Sequence, residues 1–419
     1  MTTDPDLVAL RRSSRATHNL SPIVWGQAIS LFGDYVAYFT LPYFLVVLTG
    51  RELDLGLASA AETVPMLLFG FTAGVILDRI RLRPMLVFAD IARSLAFVLL
   101  ALGVYTDTVA PYMVFSAAFV VGSMSVFFDS GLQAYMPQAI GEDLLLRANS
   151  TLQLARTAAF VAGPVIGGLV VAVPSIGFET AFILNAITFA ASAVFLTMVR
   201  PAYDRKRQPR LPFMEEMRAG LGFLMRSAIL RTATLAGTIT NLVFTPLEAL
   251  LVLFVAEEIP KIAAFADLSG GVHVGAFIGV QAAVGSIGVA LAPRAERHTS
   301  LTFMFVAGLV MLGSGFLVVA IVRTFWTAIF AGVGLAGVGW VNVALTTLRQ
   351  TLTPEHLQGR VIAASRSIAW AGLPIGAVIG SAVADLVGMV PVYIAGSSAV
   401  IVIAIVIGAR RMLSVPATA

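Results

Sequence analysis

Runs of about twenty or more apolar residues, separated by short polar segments, recur along the whole chain. Twelve can be marked out: 22–48, 55–77, 84–105, 109–132, 148–173, 177–198, 232–256, 272–292, 301–322, 325–348, 361–384 and 389–409. A helix needs about 20 predominantly apolar residues to cross the hydrocarbon of a bilayer, so the pattern predicts twelve transmembrane helices. Pro and Gly recur inside the runs, as membrane helices tolerate when their neighbours re-satisfy the freed backbone groups. The first run is too long for a signal peptide and no small-residue cleavage site follows it, so it is expected to remain as the first helix.

The polar segments organise these runs. The longest, 199–231, divides them six and six. It opens with Arg205-Lys206-Arg207 and then turns amphipathic, with Leu211, Phe213, Met217, Leu221, Leu224 and Met225 among Glu215, Glu216, Arg218 and Arg226. It reads as a helix lying on the cytoplasmic membrane surface, with a plain linker as the alternative. The expected organisation is a cytoplasmic tail (1–21), a six-helix bundle (22–198), the linker (199–231), a second six-helix bundle (232–409) and a cytoplasmic tail (410–419). A repeat agrees with that division: Arg156 lies eight residues before Pro164 and Arg366 eight before Pro374, with 210 residues between the copies. Two parallel six-helix halves are the repeat pattern of one large transporter class.

Composition changes the picture only by closing off other classes. The chain is 58% hydrophobic and 12% charged, with a mean hydropathy of +0.92. A soluble fold of this size has no core large enough to bury that much apolar surface. Cysteine is absent, which excludes disulfides and thiol chemistry, and the four histidines (His18, His273, His298 and His356) show no metal-ligand spacing. Neither a metal nor a cofactor is expected. The sequence pI of 9.6 does not point to nucleic acid, because the basic residues are scattered over short loops rather than gathered in a patch. With the N-terminus inside, 21 of the 27 fall in cytoplasmic segments and only Arg51, Lys261 and Arg323 outside. That asymmetry predicts both termini in the cytoplasm. Nearly all of the basic residues are arginine, which suits a GC-rich bacterial genome and a bacterial inner membrane.

Within the runs, polar spacing marks faces. Thr234, Thr238, Asn241, Thr245 and Glu248 are spaced 4, 3, 4 and 3, which places them on one side of the seventh helix. Gln27, Ser30, Asp34 and Tyr38 do the same on the first, Asn149, Gln153 and Arg156 on the fifth, and Asn342, Thr346 and Arg349 on the tenth. These four helices are expected to face a polar interior, and the sixth, ninth and twelfth to face lipid. An ionisable group at mid-membrane costs about 2.5–3.5 kcal/mol by insertion scales, so such groups usually line a cavity or pathway. Asp34, Glu62 and Glu248 are the candidates for proton or substrate binding, with Asn241 and Tyr38 beside them. Each carboxylate could instead be a structural group bonded to a neighbouring helix. A second set (Asp90, Arg93, Asp129, Arg156 and Arg366) sits toward the cytoplasm and reads as a closing network, with Asp90 and Arg93 an i, i+3 pair.

The segment Gly74-Val75-Ile76-Leu77-Asp78-Arg79-Ile80-Arg81-Leu82-Arg83 resembles the signature G-x-x-x-D-R-x-G-R-R of the major facilitator superfamily, with Arg81 in place of the Gly and Leu82 in place of a basic residue. The resemblance covers nearly the whole chain. It implies that Asp78 and Arg79, with Arg83, lock the cytoplasmic side in the outward-open state. Gly33-Asp34, Ala89-Asp90 with Arg93, Ala148-Asn149, Gly163-Pro164-Val165-Ile166-Gly167-Gly168, and Pro354 followed by Gly359-Arg360 resemble the branch that contains bacterial macrolide-efflux pumps and the enterobactin exporter.

Two other motif matches are set aside. Gly332-x-Gly334-x-x-Gly337 fits a dinucleotide fingerprint but lies inside an apolar run with no preceding strand, so helix packing accounts for it better. The sequon at Asn149 falls at the cytoplasmic end of a span. The reading that results is a monomeric secondary transporter that exports small amphipathic molecules by proton antiport. Export or flipping of an anionic metabolite or lipid, such as a siderophore or lysophospholipid, is the alternative. A membrane enzyme is set aside because the largest outer loop, 257–271, carries only Glu257, Glu258, Lys261 and Asp267 as charged groups. A non-transporting sensor would keep the same fold.

Overall fold

The computed structural model describes residues 5–70, 72–173, 177–203, 213–261, 270–354 and 357–409. The basic run at 205–207, Leu211, Asp267 and the C-terminal tail lie outside the described residues. All regular structure among the described residues is helical: α1 Pro5–Thr49, α2 Glu52–Phe69, α3 Thr72–Arg79, α4 Leu82–Tyr105, α5 Pro111–Ile140 and α6 Glu142–Ala172. Then follow α7 Gly177–Met198, α8 Phe213–Arg226, α9 Ala228–Ala249, α10 Leu251–Glu258 and α11 Gly270–Ala290. The last five are α12 Ala292–His298, α13 Leu301–Val322, α14 Thr327–Leu352, α15 Gln358–Val387 and α16 Met389–Ala409.

Ten of these helices are long and apolar enough to cross a membrane, and the number rises to twelve if the pairs α2/α3 and α9/α10 are each one broken span. The second pair bends by 46° at Leu250, between α9 and α10, one turn after Pro246 of α9. Proline lacks the N–H that would bond the carbonyl four residues earlier and its ring crowds that carbonyl, which weakens the ladder in the turn that precedes the bend. Hydropathy sees the whole run and not the bend.

The chain divides into two compact units, Met1–Leu41 with Leu68–Pro209 and Pro42–Leu67 with Arg210–Ala419. The end of α1 and most of α2 therefore group with the second unit. There, Gly56 of α2 lies so close to α15 that a Cβ on it would fall 2.5 Å from both the Ala377 carbonyl oxygen and the Ser381 Cβ.

In the first unit, α4 packs along α5 and α7. Its outer row, Phe88, Ile91, Leu95, Leu99 and Leu102, is exposed and spaced 3, 4, 4 and 3, as a lipid-facing stripe should be. Ile183, Leu184 and Ile187 on α7 extend the exposed apolar surface of that unit, and Val402, Ile405 and Val406 on α16 form such a surface in the other. Polar ties fasten one end of the first unit. Asn19 donates to the carbonyls of Ala139 (2.8 Å) and Arg200 (2.6 Å). Arg83 donates to the carbonyls of Leu196 and Thr197, the last turn of α7, where free carbonyls and the helix dipole both favour a cation. Gly141 makes the turn from α5 to α6 at φ +73°, a conformation open to Gly at no steric cost. The ring of Tyr203 fills the space a side chain there would need.

In the second unit, α9 pairs with α15, while α14 packs on α13 and α11 and α13 on α16. Gly372, Gly376 and Gly380 form one row of α15 and meet the α9 backbone at Thr238 and Leu242 and the ring of Pro246. In lipid, where apolar burial does not drive helices together, small residues let the backbones approach and gain dispersion and polar contacts. The first unit uses the same device, since Gly163 and Gly167 of α6 meet α1 at Tyr35 and Val36–Thr40. Gly332, Gly334 and Gly337 follow suit: Gly332 meets α11, and the other two meet α13. The glycine pattern is a packing surface, as its setting in an apolar run implied.

The helix expected within the linker is present as α8. It packs along α15. Gly220 lies against the Arg360 backbone, and Leu224 is buried with Leu230 and Val361. Leu221 and Met225 are exposed.

Candidate functional site

The first unit gathers one charged cluster. Asp34 and Tyr35 stand on α1, Asp129 on α5 and Arg156 on α6; all three charges lie near enough to act on the Tyr35 hydroxyl. Tyr35 is held edge-on to Phe160 at 5.3 Å between ring centroids and to Tyr38 at 6.3 Å. Three helices thus bring two carboxylates and one guanidinium within electrostatic reach of a phenol. Gly33, next to Asp34, lies against Asn185 and Thr188 of α7, which fixes the depth at which Asp34 is presented.

Asp90 and Arg93 form the i, i+3 ion pair that their spacing implied, with exposures of 0% and 4%. The Arg93 guanidinium is sandwiched between the rings of Phe128 (4.4 Å) and Phe189 (4.3 Å) and donates to Ser125. The pair is sealed inside the unit, whereas Asp129 and Arg156 are exposed. Of the five residues read as one network in sequence, Asp90 and Arg93 form the buried pair, Asp129 lies within electrostatic reach of both Arg93 and Arg156, and Arg366 belongs to the second unit. Asp78 is half-buried and Arg79 exposed, while Arg83 caps α7.

In the second unit, the polar stripe of α9 is largely committed to neighbouring helices. Thr234 shares a hydrogen bond with Ser365 (2.7 Å), Thr238 donates to the Ile368 carbonyl (3.3 Å) and Asn241 to the Ala369 carbonyl (2.9 Å). Thr245 turns back to the Asn241 carbonyl, and Glu248 accepts from Gln281 of α11 at 3.3 Å. Glu62 is exposed on α2.

Beside this stripe, α9, α14 and α15, with Leu312 of α13, enclose a cavity of about 460 Å³. Asn342, Thr346 and Arg349 reach it from α14, Arg366 and Trp370 from α15, and Thr240, Asn241 and Phe244 from α9. The Arg366 guanidinium lies 4.3 Å from the centre of the Trp370 ring. Arg349 stands on the face of α14 that it was expected to share with Asn342 and Thr346, although the apolar run ends at 348. The α14 ladder continues to Leu352, so Arg349 is one of the cavity's walls and is 7% exposed. Trp370 went unremarked, although its spacing of four from Arg366 places the two on one face. Among the described residues no group of three or more His, Cys, Asp or Glu could hold a metal ion, and buried His273 shares a hydrogen bond with the Ile259 carbonyl.

A sequence model of the Major Facilitator Superfamily matches residues 23–372. The chain is 24% identical over 398 residues to macrolide efflux protein A of Streptococcus pyogenes, covering 91% of this chain and 94% of that protein. It is 25% identical over 392 residues to the multidrug efflux pump Tap of Mycolicibacterium fortuitum, covering 89% and 91%. Among solved structures, the nucleoside transporter NupG superposes with a TM-score of 0.73 at 11% identity, over 95% of this chain and 99% of that one.

Proposed function

Because the chain belongs to the Major Facilitator Superfamily and is a multi-pass membrane transporter, we propose that it exports small amphipathic molecules from a bacterial cell in exchange for protons, by alternating access. The observation that carries the proposal is the Asp34–Tyr35–Asp129–Arg156 cluster, in which carboxylates from two helices and a cation from a third lie within electrostatic reach of one phenol. Protonating a carboxylate there removes its attraction to Arg156. One proton then alters the forces among α1, α5 and α6, the coupling that an antiporter requires. Inward movement of one proton charge supplies about 2.3 kcal/mol per 100 mV. The efflux proteins among the relatives support the outward direction.

The topology proposed with this function has twelve spans, each bent pair counting as one, and both termini in the cytoplasm. The distribution of basic residues supports it. The protein then works as a monomer in the plasma membrane, with Asp78 and Arg79 as gating residues. Purified protein in liposomes with an imposed proton gradient tests the proposal. Gradient-dependent flux of an amphipathic dye should be lost in Asp34→Asn while the variant still folds. Proton-coupled flux at the wild-type rate in that variant would remove Asp34 from the mechanism.

A further inference from the structure

The cavity of the second unit has a charge imbalance that helix packing does not explain. Two guanidiniums line it, Arg349 and Arg366, and no acidic side chain does. Arg349 is 7% exposed, and its Nε has no hydrogen-bond partner among the described residues. The Thr240 hydroxyl, on the opposite wall, is likewise buried without a partner. The two positive charges are close enough to act on one another. Arginine cannot relieve this by losing its proton, and a buried unpaired charge is costly unless a counter-charge arrives. The contacts that hold these helices together, Thr234 with Ser365, Asn241 with Ala369 and the glycine rows, make no use of Arg349. Its cost is therefore not offset by a structural tie.

We propose that this cavity binds the anionic end, a carboxylate or a phosphate monoester, of an amphipathic molecule, held between Arg349 and Arg366. The planar forks of guanidinium groups match the oxygens of such anions. Asn342 and Thr346, on the same face of α14, offer neutral hydrogen-bonding groups beside them. Trp370 and Phe244 supply an apolar wall, and about 460 Å³ suits a small organic ligand. This inference rests on the exporter reading, whose cargo it specifies.

The test uses full-length protein in phosphatidylcholine nanodiscs with no gradient. Equilibrium binding is measured for four probes that share one ring system: 1-naphthoate, 1-naphthyl phosphate, 1-naphthamide and 1-naphthylmethylammonium. Both anions should bind at least tenfold more tightly than the amide and the cation. Arg349→Gln and Arg366→Gln should each weaken the anions tenfold or more and leave the amide within about twofold. Should Arg349→Gln fail to fold, Arg366→Gln carries the test, because the Arg366 side chain is already exposed. Displacement of 1-naphthoate by lysophosphatidylglycerol at comparable concentration assigns the site to a lipid headgroup, and lack of displacement to a soluble anion. Equal affinity across the charge series, or unchanged anion binding in the glutamine variants, overturns the proposal. Anion binding without proton-driven flux would leave the cavity standing and remove the exporter reading. Proton-driven flux of a cationic dye without anion binding would do the reverse.

Discussion

The sealed Asp90–Arg93 pair gives the sharpest stability test. Asp90 is 0% and Arg93 4% exposed, so Asp90→Asn takes from a buried guanidinium its paired carboxylate and leaves only the more distant Asp129 to act on it. Breaking one partner of a buried pair typically costs about 3–5 kcal/mol. The rings of Phe128 and Phe189 return part of that, on the order of 0.5–2 kcal/mol for a desolvated cation over an aromatic face. A loss of about 1–4.5 kcal/mol is expected for Asp90→Asn. Arg93→Met should cost less, because the orphaned carboxyl can take up a proton. The double variant should be more stable than Asp90→Asn alone, since removing both charges of a buried pair is often close to neutral. Equilibrium unfolding of the purified protein, analysed as a double-mutant cycle, measures the coupling. Strictly additive losses, or single variants within about 0.5 kcal/mol of wild type, would refute the reading of these residues as a charge-compensated pair.

Glycine rows make a contrasting prediction. Gly376→Ala should lose about 2 kcal/mol or more, because its new methyl would meet the Leu242 carbonyl across a backbone contact that cannot yield. Gly222→Ala in α8 meets nothing within 4 Å and should instead gain about 0.5–1 kcal/mol from helix propensity; thermal melts of both variants check the pair. Arg83→Ala removes two hydrogen bonds from the last turn of α7 and should cost about 1–3 kcal/mol, with Arg83→Lys recovering part. If Arg83→Ala melts as wild type does, the cap is not a stabilising contact.

Much of the architecture was legible in the sequence for a physical reason: lipid demands internally bonded apolar helices, and so imposes a run length that a sequence displays openly. The Asp90–Arg93 spacing was legible because it is local. What resisted reading was the far side of each polar face. Thr234, Thr238 and Asn241 were correctly placed on one side of a helix, yet spacing cannot say whether that side meets a cavity or the carbonyls of α15. Arg349 was legible from its spacing with Asn342 and Thr346 even though the apolar run stops short of it, because a helix ends where its hydrogen bonds end and not where apolar residues do. The bend at Leu250 was hidden because hydropathy averages over it.

The separation between glycine rows and cavity walls bears on how such a protein can change its diet. Positions that hold the second unit together, Gly372, Gly376 and Gly380, spend their freedom on backbone contact. Positions that shape the cavity, such as Val338, Thr346 and Ile362, are side chains partly open to its space. Lineages can therefore rewrite the second group while the first stands still, acquiring new cargo without first surrendering the fold. A saturation scan read for abundance alone should show that divide, with the glycine row intolerant and the cavity positions permissive.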